Sequence, residues 1–320
     1  MYAPNRSDMV GAYLALAFGV VCIGFSAIFV RFAGVPGPVS AFYRILIASI
    51  VIVPWWLHRR TKWPSRVDLV LTLAGGVFFA LDLILWNTSV MLTSATTATL
   101  LANNAPLWVG IGALVLFRER LSTRYWAGLA IALTGITILV GIGAWMQLRL
   151  SRGDMLAIGA SFFYAAYLLT TQQARARIDT STFTAISVSS SLLLLFGLNL
   201  VLGTAMTGYS VNTWGALVGL GLVSHLGGWL SINYALGHLR AARVAVGVLG
   251  QAMVTALLSI PLLGESLSIN QMVGGVLVLF GIYVVNQAKS KGRQDQRSEN
   301  QVPSIEMNPK GVTTAHDCGR

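Results

Sequence analysis

Long apolar runs alternate along this chain with short clusters of charge, proline, glycine and turn residues. Runs such as "LVLTLAGGVFFALDLILW" (69–86) do not switch between polar and apolar at every second residue, as membrane-barrel strands would. A helix needs about 20 mostly apolar residues to cross the hydrocarbon of a bilayer. The punctuation yields ten segments of that length: 10–32, 37–57, 68–90, 95–117, 122–142, 153–173, 182–203, 212–236, 242–263 and 268–287. Connections as short as "GVPGP" (34–38) and "LTSAT" (92–96) force neighbouring helices into antiparallel hairpins. The run from Val10 to Phe32 exceeds the roughly 7–15 residues of a secretory signal core, so it reads as a retained helix. The predicted fold class is all-α, a polytopic membrane protein of ten transmembrane helices.

Composition agrees with this pattern. Hydrophobic residues make up 55% of the 320, charged residues only 10%, and the mean hydropathy is +0.70. So few charges cannot cover so much apolar surface in water. The net charge of +11 comes from bases clustered between apolar segments, the distribution of topology determinants rather than of a nucleic-acid surface. Cys22 lies inside the first apolar segment and Cys318 in the polar C-terminal stretch, so no disulfide between them is expected. After Gln287 large apolar residues almost vanish, and 288–320 is predicted to be a disordered cytoplasmic tail.

The chain also repeats itself. An offset of 146 residues superposes Asn87 on Asn233, Ala95 on Ala241, Glu119 on Glu265, Leu121-Ser122 on Leu267-Ser268, and Gly128 and Gly135 on Gly274 and Gly281. The two units are 10–142 and 153–287, five helices each. Because five is odd, the second unit enters the membrane from the opposite side, which makes an inverted repeat. The charges agree. With the N-terminus cytoplasmic, inner loops hold Arg59, Arg60, Lys62 and Arg66; Arg118, Arg120 and Arg124; Arg175 and Arg177; and Arg240 and Arg243. The tail adds Lys289, Lys291, Arg293 and Arg297, whereas outer loops hold Arg31, Arg149 and Arg152. Aligned loops exchange their charge: "FRERLSTR" (117–124) faces in and its copy "LGESLSIN" (263–270) faces out. "LTSATT" (92–97) faces out and its copy "HLRAAR" (238–243) faces in. In each pair the cytoplasmic copy carries the arginines, as the positive-inside rule requires.

The repeated unit resembles the EamA domain of the drug/metabolite transporter superfamily. The resemblance rests on "TSATTATLL", the proline of "NNAPLW", the E-x-L helix start with its spaced glycines, "FYRILIA" around Arg44, "GWLSINYALGHL" and "VGVLGQ". It covers most of 10–287 and implies two such domains, ten helices, and export of amino acids, related metabolites or drugs across a bacterial inner membrane. The family's Gln-Pro pair is here Gln251-Ala252. Pro106 therefore lacks a partner at the pseudo-symmetric position, and a matching proline kink is not expected in the second half.

Ionisable groups at membrane depth need a partner or a cavity. Asp82, in the middle of the third helix, reads either as a cavity carboxylate for a proton or a substrate amino group, or as the ion-pair partner of Arg44. His225, on the eighth helix, lies one turn from the Asp82 counterpart Gly228. It can exchange protons near neutral pH, although a hydrogen bond to a neighbouring helix is the plainer role. Asn103 and Asn104 beside Pro106 are substrate candidates, because proline frees a backbone carbonyl. Asn87 and Asn233 read as hydrogen-bonded helix glue. Trp86, Tyr164, Tyr167, Trp229 and Tyr234 are the aromatic candidates for a cavity wall, about half of them expected simply to pack. The paired glycines read as close helix contacts, and Glu119 and Glu265 as caps on the following helices.

These readings favour a secondary transporter that exposes a central cavity to each side in turn. The expected partners are a small-molecule substrate, protons in a coupled variant, and the lipid bilayer; a homodimer is compatible with the sequence. No cofactor or metal is expected, since there is no GxxxxGK[ST] phosphate loop and no HExxH motif. An intramembrane enzyme is the alternative. Ser224 and His225 are sequence neighbours, however, and point apart on a helix, which rules out a serine–histidine pair. A scaffold or receptor is the third class, for which an inverted duplication has no evident use.

Overall fold

The computed structural model describes residues 6–59, 63–93, 95–141, 151–264 and 266–287. Glu265, Arg60, Lys62, Arg149, the end of the fifth predicted span and the predicted tail 288–320 lie outside them. Among the described residues ten helices are long and apolar enough to cross a membrane. They are α1 (Ser7–Ala33), α2 (Gly37–His58), α3 (Arg66–Ser89), α4 (Thr97–Phe117), α5 (Thr123–Val140), α6 (Arg152–Arg175), α7 (Thr180–Leu202), α8 (Val211–Leu236), α9 (Ala241–Leu263) and α10 (Ile269–Asn286).

Short polar side chains start these helices. Ser65, Ser122, Ser151, Asp179, Ser210 and Ser268 each accept a hydrogen bond from a backbone N–H of the first turn, which satisfies donors that have no partner inside the helix. Ser151 with Asp154, and Ser268 with Gln271, close reciprocal capping boxes. Glu119 is therefore not a cap. Ser122, three residues before Tyr125, already holds that place, and Glu119 turns to other partners.

Helix ends follow the repeat. α4 and α9 stop at Arg118 and Gly264, 146 residues apart, both in the left-handed conformation with φ of 52° and 67°. Glycine adopts that conformation freely, whereas a side chain there costs roughly 1–2 kcal/mol. The first copy has Arg118 in place of the glycine.

α5 and α10 form the tightest seam, and α3 lies along α6 as its repeat counterpart α8 lies along α1. In the seam, a Cβ on Gly128 would stand 2.8 Å from the Gly281 carbonyl oxygen, and one on Gly135 would stand 2.7 Å from that of Gly274. The reverse contacts are equally close, 2.6 Å and 2.7 Å. The offset of 146 exchanges these two contacts. The residue numbers also run in opposite directions, so the helices cross antiparallel. A two-fold relation between antiparallel helices has its axis perpendicular to them, in the plane of a membrane, as an inverted repeat requires.

Three helices are interrupted. α1 turns at Phe25, and Thr255 of α9 donates to the Gly24 carbonyl there at 2.8 Å. α4 breaks at Asn103-Asn104, ahead of Pro106. α9 breaks at Leu249-Gly250, the same repeat position, although it has Ala252 where α4 has proline. The absent proline thus does not remove the break. Leu249 and Gly250 N–H groups each bond three residues back, to Val246 and Gly247, at 3.1 Å. This tight turning is available to a Gly-rich "VGVLGQ" without proline.

Arg118→Gly is expected to stabilise the protein by about 1 kcal/mol, the left-handed strain relieved less the glycine entropy. Thermal unfolding in detergent checks this, and a midpoint unchanged or lowered would mean that the turn carries no strain.

Candidate functional site

The interior of the bundle is built by an irregular segment. Residues Leu220–Trp229 of α8 form a π-helix, a form found in proteins mostly as single turns, frequently at functional sites. Gly221 lets this segment approach α2, where a Cβ would stand 2.6 Å from Ile47 Cβ and 3.3 Å from the Arg44 carbonyl oxygen. Gly228 permits the same against α1, with Ile23 2.8 Å from a built Cβ. The wider turn carries His225 and Trp229, four residues apart, onto one ring of α3, Phe79. Ring centroids lie 5.5 Å from His225 and 4.9 Å from Trp229.

Phe79 was not a candidate from sequence, yet it stands in the middle of the aromatic group and is buried. Its ring also lies 4.9 Å from Tyr167 of α6. Trp229 in turn meets Tyr164 at 5.7 Å and Tyr167 at 5.3 Å, both edge to face. Asp82 lies one turn beyond Phe79 on α3. The signal that would have found Phe79 is that spacing from the acidic residue.

Two ionisable side chains, one basic and one acidic, belong to this group. Arg44 of α2 is within electrostatic range of Asp82, Tyr164, Tyr167 and His225. Its Nη1 donates to Ser26 Oγ at 3.2 Å. Asp82 and Arg44 are both half-buried, and they make no direct ion pair among the described residues. Several polar atoms here are buried and have no hydrogen-bond partner among the described residues: Arg44 Nε, Ser224 Oγ, His225 Nδ1 and Trp229 Nε1. Such atoms are rare in folded proteins, because each costs about 1–3 kcal/mol. The plainer role for His225, a hydrogen bond to another helix, is thus not what the structure has; its ring leans on Phe79 instead.

The other candidates fall elsewhere. Asn103 Nδ2 donates to the Thr99 carbonyl at 2.9 Å, and Asn104 Nδ2 to those of Leu100 and Leu101 at 3.1 and 3.2 Å. Both amides therefore serve the break in their own helix. Trp86 is half-buried and makes no ring contact with the group. The Tyr234 ring meets His238 in a tilted contact with centroids 4.5 Å apart near the end of α8.

Asn233 supports the group from behind. Its Oδ1 accepts from Tyr167 Oη at 2.8 Å, its Nδ2 donates to Thr184 Oγ1 at 3.2 Å, and its carbonyl accepts from Arg175 Nε at 3.0 Å. Its repeat counterpart Asn87 makes one bond, to the Gly37 carbonyl at 3.2 Å. At the arginine-rich end, Glu119 accepts from Arg240 at 3.3 Å and from Gln172 at 3.5 Å, and Gln172 accepts from the Ala241 N–H. Arg177 meets Asp68 at 3.3 Å. These contacts tie the α4–α5 loop, α6 and the start of α9 together, and α3 to the end of α6.

Residues 10–141 and 151–287 each match the EamA-like transporter family. An uncharacterized transporter of Archaeoglobus fulgidus is 25% identical over 272 residues, 84% of this chain and 94% of that protein. A probable terminal-alkyne amino-acid exporter of Streptantibioticus cattleyicolor is 23% identical over 256 residues, 80% and 85% of the two chains. A protein crystal structure shares the fold at a TM-score of 0.74 and 18% identity, covering 89% of this chain and 99% of its own.

Asn233→Leu is expected to cost about 1–3 kcal/mol, since it strands the Tyr167 hydroxyl in the interior. Asn87→Leu should cost less, because Ser40 still donates to the Gly37 carbonyl. Equal losses in thermal unfolding would contradict this asymmetry.

Proposed function

The chain belongs to the EamA-like transporter family, and from that membership and the interior geometry we propose that it is a secondary transporter exporting small zwitterionic metabolites such as amino acids. The observation that carries this reading is that Asp82 and Arg44 lie within electrostatic range of each other, and Arg44 of His225, without an ion pair among the described residues, while Trp229 Nε1 and His225 Nδ1 in the adjoining π-helical segment lack hydrogen-bond partners. A substrate ammonium meets Asp82, and a substrate carboxylate meets Arg44 and the indole N–H. The rings of Phe79, Tyr164, Tyr167 and Trp229 receive its apolar part. A charge held at bilayer depth without a direct partner is costly, and a bound zwitterion supplies both partners at once. The exporter among the relatives supports the substrate class, and the family membership supports transport over enzymatic turnover.

Access alternates between the two faces as the inverted halves rock about the glycine seam. The Glu119–Arg240 and Arg177–Asp68 pairs fasten the arginine-rich end in one state and part in the other. Asp82 is also the group that a proton would exchange with in a coupled cycle, with His225 nearby. Both termini lie in the cytoplasm and the membrane is the bacterial plasma membrane, which places the arginine-rich loops inside.

Purified protein in liposomes should show saturable flux of an amino-acid-like solute. Asp82→Asn should lower that flux about tenfold or more, the loss of one charge-assisted hydrogen bond, with thermal unfolding little changed. Equal flux in variant and wild type would remove Asp82 from the mechanism, and turnover of the solute without flux would favour an enzyme.

A further inference from the structure

A second recess lies away from the aromatic group. It is a crevice of about 430 Å³, lined by Ala15 of α1, Trp55 and Arg59 at the end of α2, Asp179 before α7, and Ser231 and Tyr234 of α8. That size suits a small polar group with part of an apolar tail. It contains neither Asp82 nor Arg44.

Charges of both signs line it, and Arg175 also lies within electrostatic range of Asp179. The Arg59 guanidinium lies over the Trp55 ring, 4.0 Å from the centroid, and makes no ion pair among the described residues. Burial pushes the Asp179 carboxyl up, but hydrogen bonds from the Ser181 and Thr182 hydroxyls and the Thr182 N–H outweigh it and hold the group below the ordinary carboxylate range. Asp179 is therefore ionised at neutral pH. Arg59 and Asp179 line the same crevice without pairing with each other.

The surroundings point to a lipid. Trp55 and Tyr234 are amphipathic rings, 39% and 37% exposed, beside the arginine-rich helix ends, the level at which such residues sit in membranes. Leu14 and Phe18, on the turn of α1 that carries Ala15, are 66% and 58% exposed and offer an apolar face for an acyl chain.

We propose that this crevice binds a phospholipid with a zwitterionic phosphate–ammonium headgroup, the phosphate on Arg59 and the ammonium on Asp179. The occupant is a membrane lipid and not the transported solute, so the site stands whatever the substrate proves to be.

The test is lipid titration of the purified full chain in detergent, read by thermal unfolding and by lipid retention in native mass spectrometry. Phosphatidylethanolamine should raise the midpoint more than phosphatidylglycerol with the same acyl chains. Asp179→Asn keeps the helix cap, since asparagine caps as well as aspartate, and should abolish the preference between the two lipids. Arg59→Gln should weaken both about tenfold or more, as expected for a lost charge-assisted contact. Arg59 is exposed, so this variant decides the matter even if Asp179→Asn disturbs the start of α7. Equal responses of wild type and both variants to the two lipids would mean solvation by bulk lipid and overturn the site. Stabilisation by free phosphoethanolamine equal to that by the lipid would overturn the lipid as its occupant.

Discussion

A bilayer core offers no hydrogen-bond partner, so every polar atom carried into it must be matched from within the protein. Most of this structure satisfies that constraint. Five serines and Asp179 cap helix starts, and along α7 Ser190 and Ser191 donate to the Leu73 and Gly76 carbonyls of α3 at 3.1 and 2.7 Å. The carbonyl freed at the turn in α1 is met by Thr255. The amides at the break in α4 bond to the carbonyls of the preceding turn. Among the described residues the unmatched buried atoms are those of Arg44, Ser89, Ser224, His225, Trp229 and Asn286, and three of the six belong to one π-helical segment. Arg44 is within electrostatic range of Asp82 and of His225 in that segment.

Duplication supplies the frame, and orientation then works on the copies differently. The glycine seam keeps its symmetry because backbone touches backbone there, and any Cβ would collide with a carbonyl oxygen or amide. Loops are freer. One copy has glycine at the left-handed end of its helix, and the other has Arg118 at the same place. Glu119 belongs to the same inherited helix start and accepts from Arg240 and Gln172 at the arginine-rich end. These contacts hold the two halves together at the arginine-rich end.

Much of the fold was legible because its signals are local. Apolar length marks the ten helices, serine marks their starts, and the reversal of arginine between aligned loops implies inversion. Asp82, His225, Tyr164, Tyr167 and Trp229 could be singled out by the cost of charge and the bulk of rings at depth. The π-helix could not, since its signature is a hydrogen-bond spacing rather than a residue type, and the glycines around it also suit ordinary close packing. Phe79 was hidden among many apolar residues, its role decided by what α8 brings to it. The break in α9 carries no proline to mark it in the sequence, since the tight turns at Leu249 and Gly250 suffice. Asn103 and Asn104 drew notice as polar residues near a proline, but the geometry turns their amides to local carbonyls.

The central claim is that the aromatic group around Asp82 opens to each side of the membrane in turn. Tyr164 is half-buried within it, and the chain's two cysteines, Cys22 and Cys318, can be replaced by serine. A single cysteine introduced by Tyr164→Cys, treated with a small membrane-impermeant thiol reagent from either face of oriented vesicles, reads access directly. The account predicts modification from both faces, with a transported solute slowing each. Modification from one face only, whatever the solute, would contradict it.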